Sequence, residues 1–176
     1  MKSEPARLPR RLAAYVADCA LLFAFVLVSQ AVLFLAGVHP FEAAFRGLTQ
    51  VRPPYLHLWV VASVSVPALA YFAASFASAR GATLGQRAAG IAVKSVSLDR
   101  LPATDAILRA LVLLLPFEIN HAVMFHAAPP AVGMEGWFAA GLATVWLLCL
   151  LYVALPLVRS DRRSLHDLAA GSVVLR

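Results

Sequence analysis

Two residues of opposite charge, Arg11 and Asp18, lie at the start of an apolar stretch. Asp18 follows Arg11 by seven residues, which is close to two α-helical turns and about 10 Å along the helix axis. A charged side chain at the centre of a membrane helix costs about 2.5–3.5 kcal/mol on insertion scales, so such groups usually face the protein interior and mark function. The spacing predicts either a carboxylate that responds to protons or cations, or a structural anchor in which Asp18 pairs with Arg11 or with Arg109.

A second polar site follows Pro116 in the third apolar stretch. Glu118, Asn120 and His121 lie within four residues. This intramembrane site could bind a cation or relay a proton, or it could mark the point where the third helix enters the external interface. Glu118 and His121 form one isolated ExxH pair, whereas a di-iron bundle needs two such pairs and two further carboxylates. We therefore expect no metal site.

The remaining polar residues do not have the spacing of a known catalytic group. Ser164, His166 and Asp167 are close in sequence, but residues one or two apart on a helix point to different faces and cannot form a triad among themselves. The glycines of the central loop lack the GKS/T ending of a phosphate-binding loop. These glycines are Gly81, Gly85 and Gly90. We expect neither an enzyme nor a cofactor.

Four apolar stretches dominate the chain, at about residues 12–36, 57–79, 105–128 and 137–158. Each has roughly the 20 apolar residues that a helix needs to cross a bilayer. The composition agrees, with 61% hydrophobic and 14% charged residues and a mean hydropathy of +0.79. The sequence therefore predicts an all-α membrane protein with four transmembrane helices, forming a single domain over residues 1–176.

Basic residues alternate between the segments that flank these stretches. The five segments carry 4, 2, 4, 0 and 4 Lys and Arg residues in chain order. By the positive-inside rule this pattern predicts that both termini and the central loop lie in the cytoplasm. The net charge of +6 then suits anionic lipid headgroups. Outside the apolar stretches the sequence has no basic face interleaved with aromatic residues, so we expect no nucleic-acid partner.

A small cytoplasmic cap is expected from the central loop and the tail. Residues 91–97 and 172–176 are β-rich runs that each follow a glycine. Two isolated short strands on one membrane face would leave their edges unpaired, so we expect them to form a two-stranded ribbon. Residues 164–170 predict one or two helical turns, and Thr104 is expected to be the N-cap of the third helix.

Three separated motifs resemble the RDD family of bacterial membrane proteins. They are RLAAYVAD at residues 11–18, TLGQRAAGIAV at residues 83–93, and LHDLAAGSVV at residues 165–174. The signature arginine and two aspartates of the family match Arg11, Asp18 and Asp167. The chain departs from the family pattern mildly, with Gln86 in place of a usual lysine and Ser172 in place of a usual threonine. The resemblance implies a multi-pass protein of the bacterial cytoplasmic (inner) membrane, and a transport role has been suggested for the family.

Two functional hypotheses follow. In the first, the protein is associated with cation- or proton-linked transport, with Asp18 and Arg11 as the responsive groups. In the second, it is a non-transporting membrane scaffold or accessory subunit, whose charges hold the fold together. In either case we expect a polar network of Arg11, Asp18, Arg109 and Asp167. The expected partners are the lipid bilayer and either further copies of the chain or another membrane protein.

Overall fold

The computed structural model describes residues 4–41, 53–127 and 133–176. Four long helices form its body, and short elements between and after them form a cap at one end. In chain order the helices and strands are α1 (Leu8–Leu35), α2 (Pro53–Val60, a π-helical turn Val61–Ser65, and Val66–Ala77), α3 (Leu84–Ala88), β1 (Ala92–Ser95), α4 (Ala103–His126), α5 (Glu135–Val158), α6 (Leu165–Ala169) and β2 (Ser172–Leu175).

The four predicted spans coincide with α1, α2, α4 and α5, and all four helices are long and apolar enough to cross a membrane. Almost none of the apolar residues of α1 and α5 is buried inside the protein. Their large side chains, such as Phe23 on α1 and Trp146 on α5, point away from the interior. This distribution is the reverse of a soluble bundle, in which the apolar stripe faces the core, and it suits helices surrounded by lipid.

The second span contains the π-helical turn Val61–Ser65 directly before Pro67. Proline has no backbone N–H, and its ring collides with the carbonyl of the residue four positions earlier, here Ser63. A wider turn relieves this collision without ending the helix, and π turns of this kind are often found at functional sites. The turn forms part of a cavity wall that is described below.

The predicted ribbon is confirmed. Strands β1 and β2 are antiparallel, with Ala92 opposite Leu175 and Ser95 opposite Ser172. The N-terminal segment extends this small sheet, because Ala6 N donates to Val174 O at 2.8 Å. The predicted turns at residues 164–170 are also confirmed, as α6. Thr104, however, is not an N-cap: α4 begins one residue earlier, at Ala103, with Pro102 as its N-cap.

The most tightly packed part of the protein lies at the end of the bundle where α1 and α4 begin and α2 and α5 end. We call it the capped end. Its core joins side chains from all parts of the chain: Phe72, Phe76, Val93, Leu101, Ala106, Ala110 and Val174. The cap is therefore an integral part of the fold, because its strands share one hydrophobic core with the long helices.

Candidate functional site at the capped end

Asp167 is the centre of a buried charge cluster. Its carboxylate is fully buried and forms ion pairs with both Arg11 and Arg109. Arg11 Nη1 donates to Oδ2 at 2.6 Å, while Arg109 donates to Oδ1 through Nη2 at 2.7 Å and through Nε at 3.2 Å. The amide of Ser164 donates to Oδ2 at 3.0 Å. Ser172 Oγ donates to Oδ1 at 3.4 Å, so this one carboxylate accepts five hydrogen bonds from three segments of the chain.

The positions of these three residues follow from the helix boundaries. Arg11 lies in the first turn of α1 and Arg109 in the second turn of α4, so both guanidinium groups are at the capped end. Asp167 occupies the third position of the short helix α6, from which its side chain reaches back to the amide of Ser164. Two long helices and the tail are therefore tied together at one point.

Arg109 is almost entirely buried, with only 2% of its side chain exposed. Its guanidinium carbon lies 4.2 Å from the centre of the Phe76 ring, and its Nε also donates to Ser172 Oγ at 3.2 Å. A desolvated cation over an aromatic face contributes on the order of 2 kcal/mol. Phe76 on α2 and Ser172 on β2 thus share the stabilisation of this buried charge with Asp167.

The charges of the cluster set the ionisation of Asp167. Burial alone would raise the pKa of its carboxyl group, but the neighbouring Arg109, His166 and Arg11 and the Ser164 amide together hold the pKa well below its usual range. The group is therefore ionised at neutral pH. Arg11, which is 11% exposed, keeps one nitrogen, Nη2, buried without a hydrogen-bond partner.

Asp18 does not join this cluster, which corrects the predicted network. Its carboxylate accepts three hydrogen bonds from uncharged donors: Tyr71 Oη at 2.7 Å, Thr83 Oγ1 at 2.6 Å and the amide of Gly85 at 2.8 Å. Arg11 and Arg109 both form ion pairs with Asp167 instead. The expected pairing of Asp18 with Arg11 or Arg109 is wrong, because the N-terminus of α3 occupies the position that a guanidinium group would need.

The contacts of Asp18 satisfy the exposed amides at the start of α3. The first N–H groups of any helix lack partners within the helix. Here Leu84 N donates to Tyr71 Oη at 3.1 Å, Gly85 N donates to Asp18, and Gln86 N donates to Thr83 Oγ1 at 3.1 Å. The side chain of Gln86 accepts in return from Thr83 N, which completes a capping box. A lysine at position 86, as in the usual family pattern, could not accept this bond.

Gly85 allows α3 to lie directly against α1. A Cβ atom added at this position would overlap the carbonyl oxygen of Ala14 and would lie 2.8 Å from Asp18 Cγ. Any larger residue would therefore push α3 away from the carboxylate that caps it. The distance between the two helices is set by this one glycine.

Several residues of the site were not predicted from the sequence, and Thr83, Tyr71 and His166 show why. Thr83 could have been found, because Thr83-x-x-Gln86 is a capping-box pattern. Tyr71 could not, since its bond to Asp18 spans 53 positions of the chain. His166 was considered only as part of a catalytic triad. It packs edge-on against the ring of Tyr152, with 13% of its side chain exposed and its Nδ1 without a hydrogen-bond partner.

His166 is uncharged at neutral pH. Burial, the largest cause, lowers the pKa of its imidazole to about 3, and the positive charges of Arg109 and Arg11 lower it further. The carboxylate of Asp167, with Oδ1 3.8 Å from His166 Nε2, acts in the opposite direction without reversing the shift. The cluster formed by Arg11, Arg109 and Asp167 therefore carries one net positive charge.

The predicted intramembrane site is only partly assembled. Glu118 and His121 lie on one face of α4, with 3.7 Å between Oε1 and Nδ1, and both line a cavity between α1, α2 and α4. Asn120 is about 200° around the helix from Glu118 and is not among the residues that line this cavity. Within residues 4–41, 53–127 and 133–176, no group of three His, Cys, Asp or Glu side chains is arranged to hold a metal ion.

The comparison with known families agrees with this architecture. The model of the RDD family matches residues 5–171, nearly the whole chain. The chain belongs to the RDD family. Within this RDD protein, the signature arginine and second aspartate form the Arg11–Asp167 ion pair, while the first aspartate, Asp18, caps α3. No curated protein and no solved structure matches the chain. With its four apolar helices, the chain is a multi-pass membrane protein of the RDD type.

Proposed function

We propose that this RDD protein is a non-transporting membrane scaffold or accessory subunit, in which the signature charges hold the cap on the four-helix bundle. The main observation in support of the proposal is that both buried aspartates have their hydrogen-bonding capacity taken up within the protein. Asp167 accepts five hydrogen bonds and Asp18 accepts three, all from groups of the protein itself.

The geometry of these bonds opposes a role in carrying ions. A carboxylate that binds and releases a cation during transport needs oxygen atoms that the ion can reach. Each oxygen of Asp18 is occupied by at least one donor, and a cation bound there would have to displace Thr83 or the α3 amides. Removing the donors would also release α3 from α1. The transport hypothesis based on Asp18 and Arg11 therefore gains no support from these contacts.

The proposed orientation places the capped end in the cytoplasm of the bacterial inner membrane. The basic segments of the chain, namely the N-terminal segment, the central loop and the tail, all meet at this end. Cytoplasmic loops carry an excess of Lys and Arg, and such residues bind anionic headgroups with about 1 kcal/mol each near the surface. A basic cap on the inner leaflet would anchor the protein and present a surface to acidic partners.

A flux measurement tests the proposal. The full chain would be reconstituted into proteoliposomes that contain a pH-sensitive dye, and sodium, lithium and potassium would be added under an imposed proton gradient. We expect no flux above that of protein-free liposomes. Cation-dependent proton flux that is lost in a folded Asp18→Asn variant, but kept in Asp161→Asn, would overturn the proposal in favour of transport.

A further inference from the structure

A cavity of about 620 Å³ lies between α1, α2 and α4 in the membrane part of the chain. The helix α1 is held mainly by α3 at the capped end and leaves a gap to α4 beyond it. Ligand sites in proteins typically measure about 300–1,000 Å³ and combine apolar walls with few polar groups. This cavity matches both criteria.

Aromatic rings form much of the cavity wall. They come from all three helices: Tyr15, Phe23, Phe25, Phe72 and Phe117. Three of the rings are open to the outside of the protein, with exposed fractions of 65% for Phe23, 49% for Phe25 and 44% for Phe117. Because the outside of the bundle at this level is lipid in an RDD protein, the cavity opens laterally and a ligand dissolved in the bilayer can enter it.

One carboxylate lies among these rings. Among the described residues that line the cavity, Glu118 is the only Asp, Glu, Lys or Arg, and 35% of its side chain is exposed. His121 Nδ1 is 3.7 Å from its Oε1, and neither this nitrogen nor Ser65 Oγ, in the π-helical turn of α2, has a hydrogen-bond partner. The cavity wall therefore combines a formal negative charge with the negative faces of several aromatic rings.

We propose that this cavity binds a lipophilic organic cation, with its charge near Glu118 and its apolar groups against the aromatic walls. The face of an aromatic ring attracts a cation through its quadrupole, and a nearby carboxylate adds a direct Coulomb attraction. An anionic amphiphile would meet repulsion from Glu118. A small hydrated cation would find too few oxygen ligands among these side chains.

Tetraphenylphosphonium is a suitable probe, because its delocalised charge is surrounded by apolar rings. Its binding to the purified full chain in mild detergent would be measured by equilibrium dialysis, with the uncharged, similarly shaped tetraphenylmethane as the comparison ligand. Glu118→Gln removes the charge at nearly constant volume. Glu135→Gln is the matched control, since Glu135 is an exposed acid at the start of α5 and does not line the cavity.

We expect Glu118→Gln to weaken binding of the phosphonium by about tenfold, and Glu135→Gln to leave it unchanged. Ala68→Phe, which places a phenyl ring in the cavity from α2, should weaken binding and decides the question if Glu118→Gln does not fold. Equal binding of the phosphonium by the wild type and a folded Glu118→Gln variant would overturn the proposal. So would undiminished binding by a folded Ala68→Phe variant, or binding of tetraphenylmethane as tight as that of the cation.

Discussion

Arg11 and Asp167 are 156 positions apart in the chain, yet 2.6 Å separates Arg11 Nη1 from Asp167 Oδ2. This contact joins the first turn of the first long helix to the last short helix. Because Arg109 holds the other oxygen of the same carboxylate, three parts of the chain depend on one buried side chain. The pair explains how charges at the two ends of the sequence can belong to one structural unit.

Gly85→Ala is expected to destabilise the protein. The new methyl group would overlap the carbonyl oxygen of Ala14, and overpacking of this kind typically costs about 1–3 kcal/mol. Thermal unfolding in mild detergent, followed by size-exclusion chromatography, measures the effect. The matched control is Gly136→Ala in α5, where a Cβ atom meets nothing within 4 Å. A Gly85→Ala protein as stable as this control would show that α3 is not packed directly on α1.

Asp18→Asn should lower the stability through the start of α3. An amide presents one NH2 group where the carboxylate offers two acceptors, so at least one of the donors from Tyr71, Thr83 and Gly85 loses its partner. A buried donor left unsatisfied costs about 1–3 kcal/mol. Limited proteolysis of the central loop, which contains Arg80 and Arg87, would report the release of α3. Asp161→Asn serves as the control, because Asp161 is a half-exposed acid of the tail that pairs with Arg159 and not with α3. Equal cleavage rates in the two variants would contradict the capping role of Asp18.

Stability should decrease as the pH falls from about 6.5 towards 4, because of His166. The unfolded imidazole takes up a proton near pH 6.5, whereas the folded one has a pKa of about 3. Between these values the unfolded state binds more protons, so stability rises with pH, at most by about 1.4 kcal/mol per pH unit. Below about pH 4, protonation of Asp167 in the unfolded state adds to the same trend, since folding also lowers the pKa of this carboxyl group.

His166→Phe isolates the contribution of the imidazole. The phenyl ring can keep the edge-on contact with Tyr152 but cannot be protonated. Melting temperatures measured from pH 8 to pH 4.5 should fall less steeply for this variant than for the wild type above pH 5. Parallel curves for the two proteins would show that His166 is not held uncharged in the folded cap.

The proposed orientation predicts which loops are accessible from each side of the membrane. In a background with Cys19 and Cys149 replaced by alanine, Glu135→Cys should react with an impermeant thiol reagent in intact spheroplasts, and Asp99→Cys should react only after lysis. Both positions are exposed on the protein, at opposite ends of the bundle. Labelling of Asp99→Cys in intact cells would contradict a cytoplasmic cap.

Much of the fold was predictable from local patterns. The four spans follow from apolar length, and β1 and β2 follow from two β-rich runs that had no other strand to pair with. The start of α4 was misplaced by two residues because Thr104 is a typical capping residue, although Pro102 already sets the extended backbone that precedes the helix.

The partners of the charged residues were harder to predict. Helical spacing places Arg11 and Asp18 on one face of α1, but spacing along one helix does not reveal which other segment packs there. The glycine at position 85 brings α3 onto Asp18, and the tail brings Asp167 to Arg11. Both outcomes depend on tertiary contacts between distant parts of the chain, which periodicity does not encode. The cavity beside Glu118 was unpredictable for the same reason, since it arises from the gap between α1 and α4.

We infer that Arg11 and Asp167, together with Arg109, act as a structural charge cluster in this RDD protein. A double-mutant cycle of Arg11→Gln and Asp167→Asn tests it most directly, with unfolding free energies measured in mixed micelles of mild detergent and dodecyl sulfate. Removing one partner of a buried ion pair costs about 3–5 kcal/mol. We expect Asp167→Asn to cost more than Arg11→Gln, because Asp167 is fully buried and holds two arginines whereas Arg11 is 11% exposed.

We expect the double variant to lose less stability than the sum of the single losses, by about 0.5–3 kcal/mol, as is usual for residues in direct contact. The matched cycle of Arg11→Gln and Asp18→Asn should instead be additive to within about 0.5 kcal/mol, because Asp18 is bound by Tyr71, Thr83 and Gly85. Additive losses for Arg11 and Asp167, or strong coupling between Arg11 and Asp18, would contradict a structural cluster formed by Arg11, Arg109 and Asp167.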